Sequence, residues 1–371
     1  MSEYQYYEFQ AVDRPLTKAD QETLRGLSTR ARITATSFTN HYEWGDFKGD
    51  PKRLMESCFD LHLYFANWGT RRLMMRVPKR LIDRHRLGAF LGEVDWVTLW
   101  SNGEHTIIDI CRDEVEPDHD AWDDGTGWLA ALSPLRADIL AGDLQLFYLL
   151  WLSAIADDLL MDDTPEPLAG IGPLTGALEA ATTFFDIDRD LVEAAAASRY
   201  EQELLPEKVR AVVAGLAEQE KTDLLVRMME GDVHIGTLLR RRARAQNLDG
   251  GHPRRTVGEL RAKAREIRNA RERAEAERRR AEERRRAQEA EKARRARLDV
   301  VRRQGDSVWT EIETEIERRN ASGYDRATAL LADLKQLAAE QDAIADFLRR
   351  LAAIRERHER KGQLIKRLQA L

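Results

Sequence analysis

VDWVTLWSNGEHTIIDICRD (94–113) decides how the first third of this chain folds. Two runs rich in β-branched and aromatic residues flank Asn102-Gly103, the dipeptide favoured by a two-residue type I′ turn, whose central residues both need positive φ. Counting outward pairs Trp100 with His105, Thr98 with Ile107 and Trp96 with Asp109 on one face. Val97, Leu99, Ile108 and Ile110 fill the other face, which belongs against a core. A hairpin this explicit makes the N-terminal region a sheet protein.

Working back from the hairpin, the chain alternates between strand-like and helix-like stretches. YQYYEFQAV (4–12) reads as a strand ended by Pro15, and Thr17 caps a helix running to about Leu27, with Asp20 near its positive end. ARITATSFTNHYEW (31–44) is a second strand and TRRLMMRVP (70–78) a third, followed by a helical segment over 79–91. MESCFDLHLYFANW (55–68) places Met55, Phe59, Leu63 and Ala66 at helical spacing, which predicts a helix carrying His62 at its middle. The mixture implies an α+β domain over 1–113.

Working forward, EVEPDHDAWDDGTG (114–127) is an acidic linker, and beyond it the strand signal stops. SPLRADILAGDLQLFYLLWLSAIADDLL (133–160) opens with Ser-Pro and is divided by Gly142-Asp143. Further helices at about 174–185, 188–197, 207–217, 219–230 and 232–246 complete an all-α domain over 128–253.

Residues 254–303 are a third regime. They hold 20 Arg and Lys against 10 Asp and Glu, a local balance of +10 within a chain of net charge −6, so the remainder carries −16. Glu-to-Arg pairs recur at i,i+4 (Glu275–Arg279, Glu282–Arg286, Glu291–Arg295), and Ala and Arg favour helix. The best heptad track, Leu260, Ile267, Ala274, Ala281, Gln288, Arg295, fades from apolar to charged. The expectation is a solvated single helix about 70 Å long, a spacer before it is a dimeriser. Residues 304–371 regain an apolar face. Trp309, Ile312 and Ile316 mark one helix, ASG (321–323) turns the chain, and Leu330, Leu334, Leu337, Leu348 and Leu351 mark the return. A lone helical hairpin cannot bury both faces, so it must dock on the body, on a second copy or on a partner.

Chemistry is sparse. No G-x-S-x-G, Walker A, G-x-G-x-x-G, H-E-x-x-H or paired C-x-x-C is present. The only cysteines, Cys58 and Cys111, cannot build a disulfide framework, which fits a reducing, cytoplasmic setting. HYEWGDFKGDP (41–51) reads mainly as strand end, turn and helix start, with Asp50 as N-cap and Pro51 at N1. Its functional alternative is an acid–base or metal cluster of His41, Glu43 and Asp46, or a loop that touches a ligand or partner. DHDAWDDG (118–125) lacks the spacing and the distant Glu of a calcium loop. DDLLMDD (157–163) has no second aspartate-rich partner motif to make a metal site. Arg278, Arg279, Arg280, Arg284, Arg285 and Arg286 could neutralise phosphates, although acids interleave with them and no aromatic residue accompanies them.

EYQYYEFQAVDRPLT (3–17), YEWGDFKGDP (42–51) and ANWGTRRL (66–73) resemble a family of uncharacterised bacterial proteins, over most of the chain. That family has no established activity, so the resemblance implies no catalytic residues and no cofactor. YDRATALLADLKQLA (324–338) with IRERHERK (354–361) is similar to helical tails of some bacterial SWIM zinc-finger proteins. This chain lacks the cysteine-rich finger, so the similarity implies a shared docking partner and not zinc. Taken together, the expectation is a non-enzymatic protein-interaction or scaffold protein that contacts a partner or itself through 304–371. A nucleic-acid accessory factor using the basic helix and an enzyme with a site near 41–51 are the alternatives.

Overall fold

The computed structural model describes residues 3–116, 123–196, 206–232, 234–248, 254–369 and 371. Seven antiparallel strands form one sheet: β1 (Gln5–Gln10), β2 (Arg32–Ile33), β3 (Ser37–Tyr42), β4 (Leu61–Ala66), β5 (Arg71–Pro78), β6 (Val97–Asn102) and β7 (His105–Arg112), in the order β2-β3-β1-β4-β5-β7-β6. Three helices interrupt them: α1 (Lys18–Leu27), α2 (Pro51–Ser57) and α3 (Arg84–Leu91). Thr17 caps α1 with a full capping box to Asp20, and the Asp50 carboxylate accepts from the amides of Lys52 and Arg53 to start α2.

Two local readings are corrected. The stretch 55–68 is not one helix: α2 stops at Ser57 and the chain enters β4. Leu61, Leu63 and Phe65 alternate with His62 and Tyr64; the first set packs under the helical layer while His62 and Tyr64 lie on the opposite, aromatic-lined face, so both faces of this central strand are covered. A strand buried on both sides is apolar throughout, so a helical spacing can be picked out of it by accident. In the hairpin, Asn102 pairs with His105, so the turn is Gly103-Glu104. Gly103 alone has positive φ (56°), the glycine-first pattern of type II′. The pairing therefore runs Trp100 to Ile107 and Thr98 to Asp109. That offset is two residues, and an even slip leaves every side chain on its expected face. Val97, Ile108 and Ile110 are indeed buried, with Leu99 packed beside them.

The helical region follows as α4 (Trp128–Leu132), α5 (Pro134–Leu140), α6 (Gln145–Ala156), α7 (Gly176–Phe184), α8 (Arg189–Ala196), α9 (Pro206–Ala214), α10 (Glu218–Met229) and α11 (Ile235–Leu248). Nearly all of α6 is buried, and Phe147 and Leu150 share one core with Leu63, Phe65, Leu73, Met75, Ile108 and Ile110 of the sheet. Sheet and helices thus close over a common interior, and the first compact unit runs from Met1 to Ala270. The opposite sheet face packs Phe9, Phe38, Met74 and Ile107 under Leu24 of α1, Met55 of α2 and Phe47. Among the described residues no single helix is long and apolar enough to cross a membrane; the apolar stretch from α4 to α6 bends by 108°.

Helix α12 (Val257–Gln304) is continuous over 48 residues, about 72 Å at 1.5 Å per residue. Val257, Leu260 and Ala264 belong to the first unit's core, whereas 271–297 is almost wholly exposed on every side. The second unit, Arg271–Leu371, adds α13 (Ser307–Glu317), α14 (Ala321–Glu340), α15 (Ile344–Arg357) and α16 (Gly362–Leu368). The α13–α14 hairpin turns at Arg319 (φ 51°), and Asn320 caps α14, so ASG is the first turn of that helix. A Cβ on Gly323 would collide with the Glu315 carbonyl, which explains a glycine inside the helix. The hairpin does not stand alone: α15, α16 and the end of α12 supply Phe347, Leu351, Ile354, Leu364, Leu368, Leu298 and Val301 to its core.

Candidate functional site

Each sheet face is covered by one layer, and each layer leaves a different flank open. The helical layer stops short of β2 and β3, where Arg32, Thr39 and His41 face outward. On the other face, α1 and α2 leave β7 and β6 partly bare. There Arg72 clasps Asp109 with two bonds of 2.7 Å, Lys52 lies 5.1 Å over the Trp100 ring, and Cys111 sits alongside. Burial pushes the Cys111 thiol up, away from reactive thiolate.

His41 and Glu43 line a cleft of about 440 Å³ on the β2–β3 flank with Arg30, Arg32 and Trp44. Asp46 does not join them. Its carboxylate accepts from Gln5 Nε2 at 2.7 Å, and the Gln5 carbonyl oxygen accepts from Tyr7 and Tyr64 at 2.9 and 3.2 Å. Gln5 thereby ties the 45–46 turn to the α1–α2 side of the sheet. Burial pushes the Tyr7 hydroxyl up to about 12, and Tyr64 also rises, so both serve as neutral donors. The three residues of the sequence-level cluster are therefore split between two faces. Arg30 and Arg32 carried no motif; only β2–β3 pairing brings them beside Trp44.

His62 lies on β4, stacked on Phe9 at 3.9 Å, with Nδ1 donating to the Glu8 carbonyl at 3.0 Å. It is a core histidine. The nearby Asp60 is fully buried: burial works against its charge, yet the Asp13 amide, the Arg76 guanidinium and the Val12 amide hold its carboxyl below the usual carboxylate range. Arg136 of α5 donates to Asp13 through both terminal nitrogens (3.0 and 2.7 Å) and to the Arg76 carbonyl at 2.7 Å, pinning helices to sheet.

Much of DHDAWDDG lies outside the described residues; Asp123 and Asp124 accept from the amides of Gly125 and Thr126 and shape a turn. DDLLMDD has a structural use that spacing did not disclose, since Asp158 and Asp162 both bind Arg261 of α12 (2.8 and 2.6 Å). Among the described residues no group of three or more His, Cys, Asp or Glu is arranged to hold a metal.

In the second unit, Ile312, Ile316, Leu337 and Leu351 are buried in its own core, Trp309, Leu330 and Leu334 are partly buried against it, and Leu348 is half exposed. Trp309, Leu334, Leu337 and Phe347 line a groove of about 310 Å³. Arg350 stands 5.3 Å over the Trp309 ring and pairs with Asp306 at 2.7 Å and Asp346 at 3.2 Å along the rim. On α12, Glu282–Arg286 (2.6 Å) and Glu291–Arg295 (2.9 Å) form as the spacing implies, and Arg285 meets Glu289 at 3.8 Å. Among the described residues Arg278, Arg279, Arg280 and Arg284 make no ion pair. Compared with family models, curated proteins and solved structures, the chain finds no match.

Proposed function

We propose that this chain is a non-enzymatic, cytoplasmic protein-interaction or scaffold protein, and that the groove beside Trp309 takes a protein partner or a second copy. The observation carrying this reading is the terminal unit itself. Helices α13 to α16 and the end of α12 complete a small core, yet an aromatic groove with a charged rim remains open on it. Buried aromatic anchors inside a polar rim are the usual energetic centre of protein recognition. The test uses the full chain as bait. Trp309→Ala and Leu348→Glu each change a side chain at or near the surface, and each is expected to cut capture of a cross-linked partner, or self-association in sedimentation, by at least tenfold. Capture and self-association unchanged in both variants would end the reading.

A second reading, a nucleic-acid accessory role for α12, draws support from Arg278, Arg279, Arg280 and Arg284, which make no ion pair among the described residues. It requires duplex or single-strand binding that falls steeply with salt and weakens when Arg278, Arg279 and Arg280 become alanine. A flat salt response removes it.

A further inference from the structure

We propose that the cleft on the β2–β3 flank binds a nucleotide unit, free or within a single strand, with the base stacked on Trp44 and the phosphate held by Arg30 and Arg32. Three facts on the same cleft lead there. Trp44 is 85 % exposed and makes no ring contact among the described residues. A tryptophan held in water spends a large apolar surface on nothing inside the fold. Arg30 and Arg32 are exposed and line the same cleft, and their guanidiniums make neither ion pair nor hydrogen bond among the described residues. By contrast, Arg72 and Arg76 of β5 and Arg136 of α5 all hold carboxylates. Two uncommitted guanidiniums offer the fork that phosphate oxygens fit.

The strand register explains how the groups converge. Arg32 lies opposite Thr39, and side chains two apart on β3 share a face, so Arg32, Thr39 and His41 form one row. His41 stacks on Tyr4 with ring centres 6.1 Å apart and planes 22° apart, extending the aromatic shelf behind the cleft. Glu43 is the one acid in the lining. It repels phosphate but accepts from a base amino group or a ribose hydroxyl, so it favours a ligand whose phosphate and base ends are distinct. A bare anion would find two arginines opposed by a carboxylate. A stacked base with its phosphate finds a partner for each group. The site uses none of the residues invoked for partner binding or for the basic helix.

The test measures binding of a labelled twelve-nucleotide oligo-dT and oligo-dA by anisotropy, and of AMP and ATP by ligand-observed NMR, to the full chain. The expectation is micromolar binding of at least one probe. It should weaken tenfold or more in Trp44→Ala and in the Arg30→Ala/Arg32→Ala double variant, and stay within threefold in Trp44→Phe. Oligonucleotides binding tighter than mononucleotides identify a strand as the source, and equal affinity identifies a free nucleotide. All three positions are exposed, and unchanged circular dichroism melts show that the variants fold. Binding that persists in Trp44→Ala but disappears in Arg278→Ala/Arg279→Ala/Arg280→Ala belongs to α12 and overturns the assignment. So does failure of the unaltered chain to bind any probe.

Discussion

His62 is fully buried, its ring stacked on Phe9 and its Nδ1 given to the Glu8 carbonyl, while Nε2 meets no partner among the described residues. Burial, with repulsion from Arg72, lowers its pKa to about 3 from an ordinary value of 6.5. The unfolded chain therefore takes up a proton below about pH 6.5 that the folded chain refuses until about pH 3. The contribution to stability is present above pH 6.5 and is lost as the pH falls towards 3, on the order of 4 kcal/mol across the window. His62→Leu removes the titration. It should cost about 1–2 kcal/mol at pH 7.5, through the lost hydrogen bond and altered packing. In urea melts between pH 7.5 and 4.5 the variant's deficit should shrink as the pH drops; a deficit that stays constant would show that His62 does not couple folding to protonation. Spacing alone placed this residue on a helix, because nothing in LHLYFA states that both sides of the strand are covered.

At the scale of elements, the root of α12 shows why some structure was legible and some was not. Its apolar residues Val257, Leu260 and Ala264 stand out in the sequence, as does the fading heptad beyond them, and the exposed middle follows from that pattern. The hairpin faces and the caps at Thr17 and Asp50 were legible for the same reason: local chemistry determines them within a few residues. The clamps were not. Glu166 is fully buried and receives Arg255 through its amide and guanidinium (2.9, 3.2 and 3.0 Å) and Tyr148 at 2.6 Å, while Arg268 holds Asp188 and Asp190 at 2.6 and 2.8 Å. The arginines and their carboxylates are separated by 78 to 89 residues, so no local pattern joins them. The same holds for the Arg30–Trp44 cleft, which exists only once β2 pairs with β3. Arg255→Ala leaves the Glu166 carboxylate buried without its countercharge and should cost about 3 kcal/mol in urea unfolding. Glu282→Gln, which breaks an exposed pair within α12, should cost no more than about 0.5 kcal/mol. Equal costs would mean that the root is not a clamp.

For the whole molecule, the sequence divides at the change from mixed to charge-dominated composition near 254, but the compact units divide at Ala270–Arg271. Composition reports where the chain stops looking globular. The boundary instead depends on where α12 stops burying side chains, and Ile267 still packs against the first unit's core. The two sets of buried residues share no member: one centres on the sheet and α6, the other on Val308, Ile312, Ile316, Leu331 and Leu351. Residues 271–297 of α12 are themselves almost wholly exposed, so this stretch adds little buried surface to either core. Residues 1–270 and 271–371, expressed separately, should each melt cooperatively, and their summed circular dichroism should reproduce the full chain. The second fragment is the sharper test, because a core this small has little stability to spare. If it binds hydrophobic dye and melts without a cooperative transition, while the same helices are ordered in the full chain, then the terminal unit depends on the rest of the protein. The groove at Trp309 would then be a product of that dependence and no longer an independent docking module.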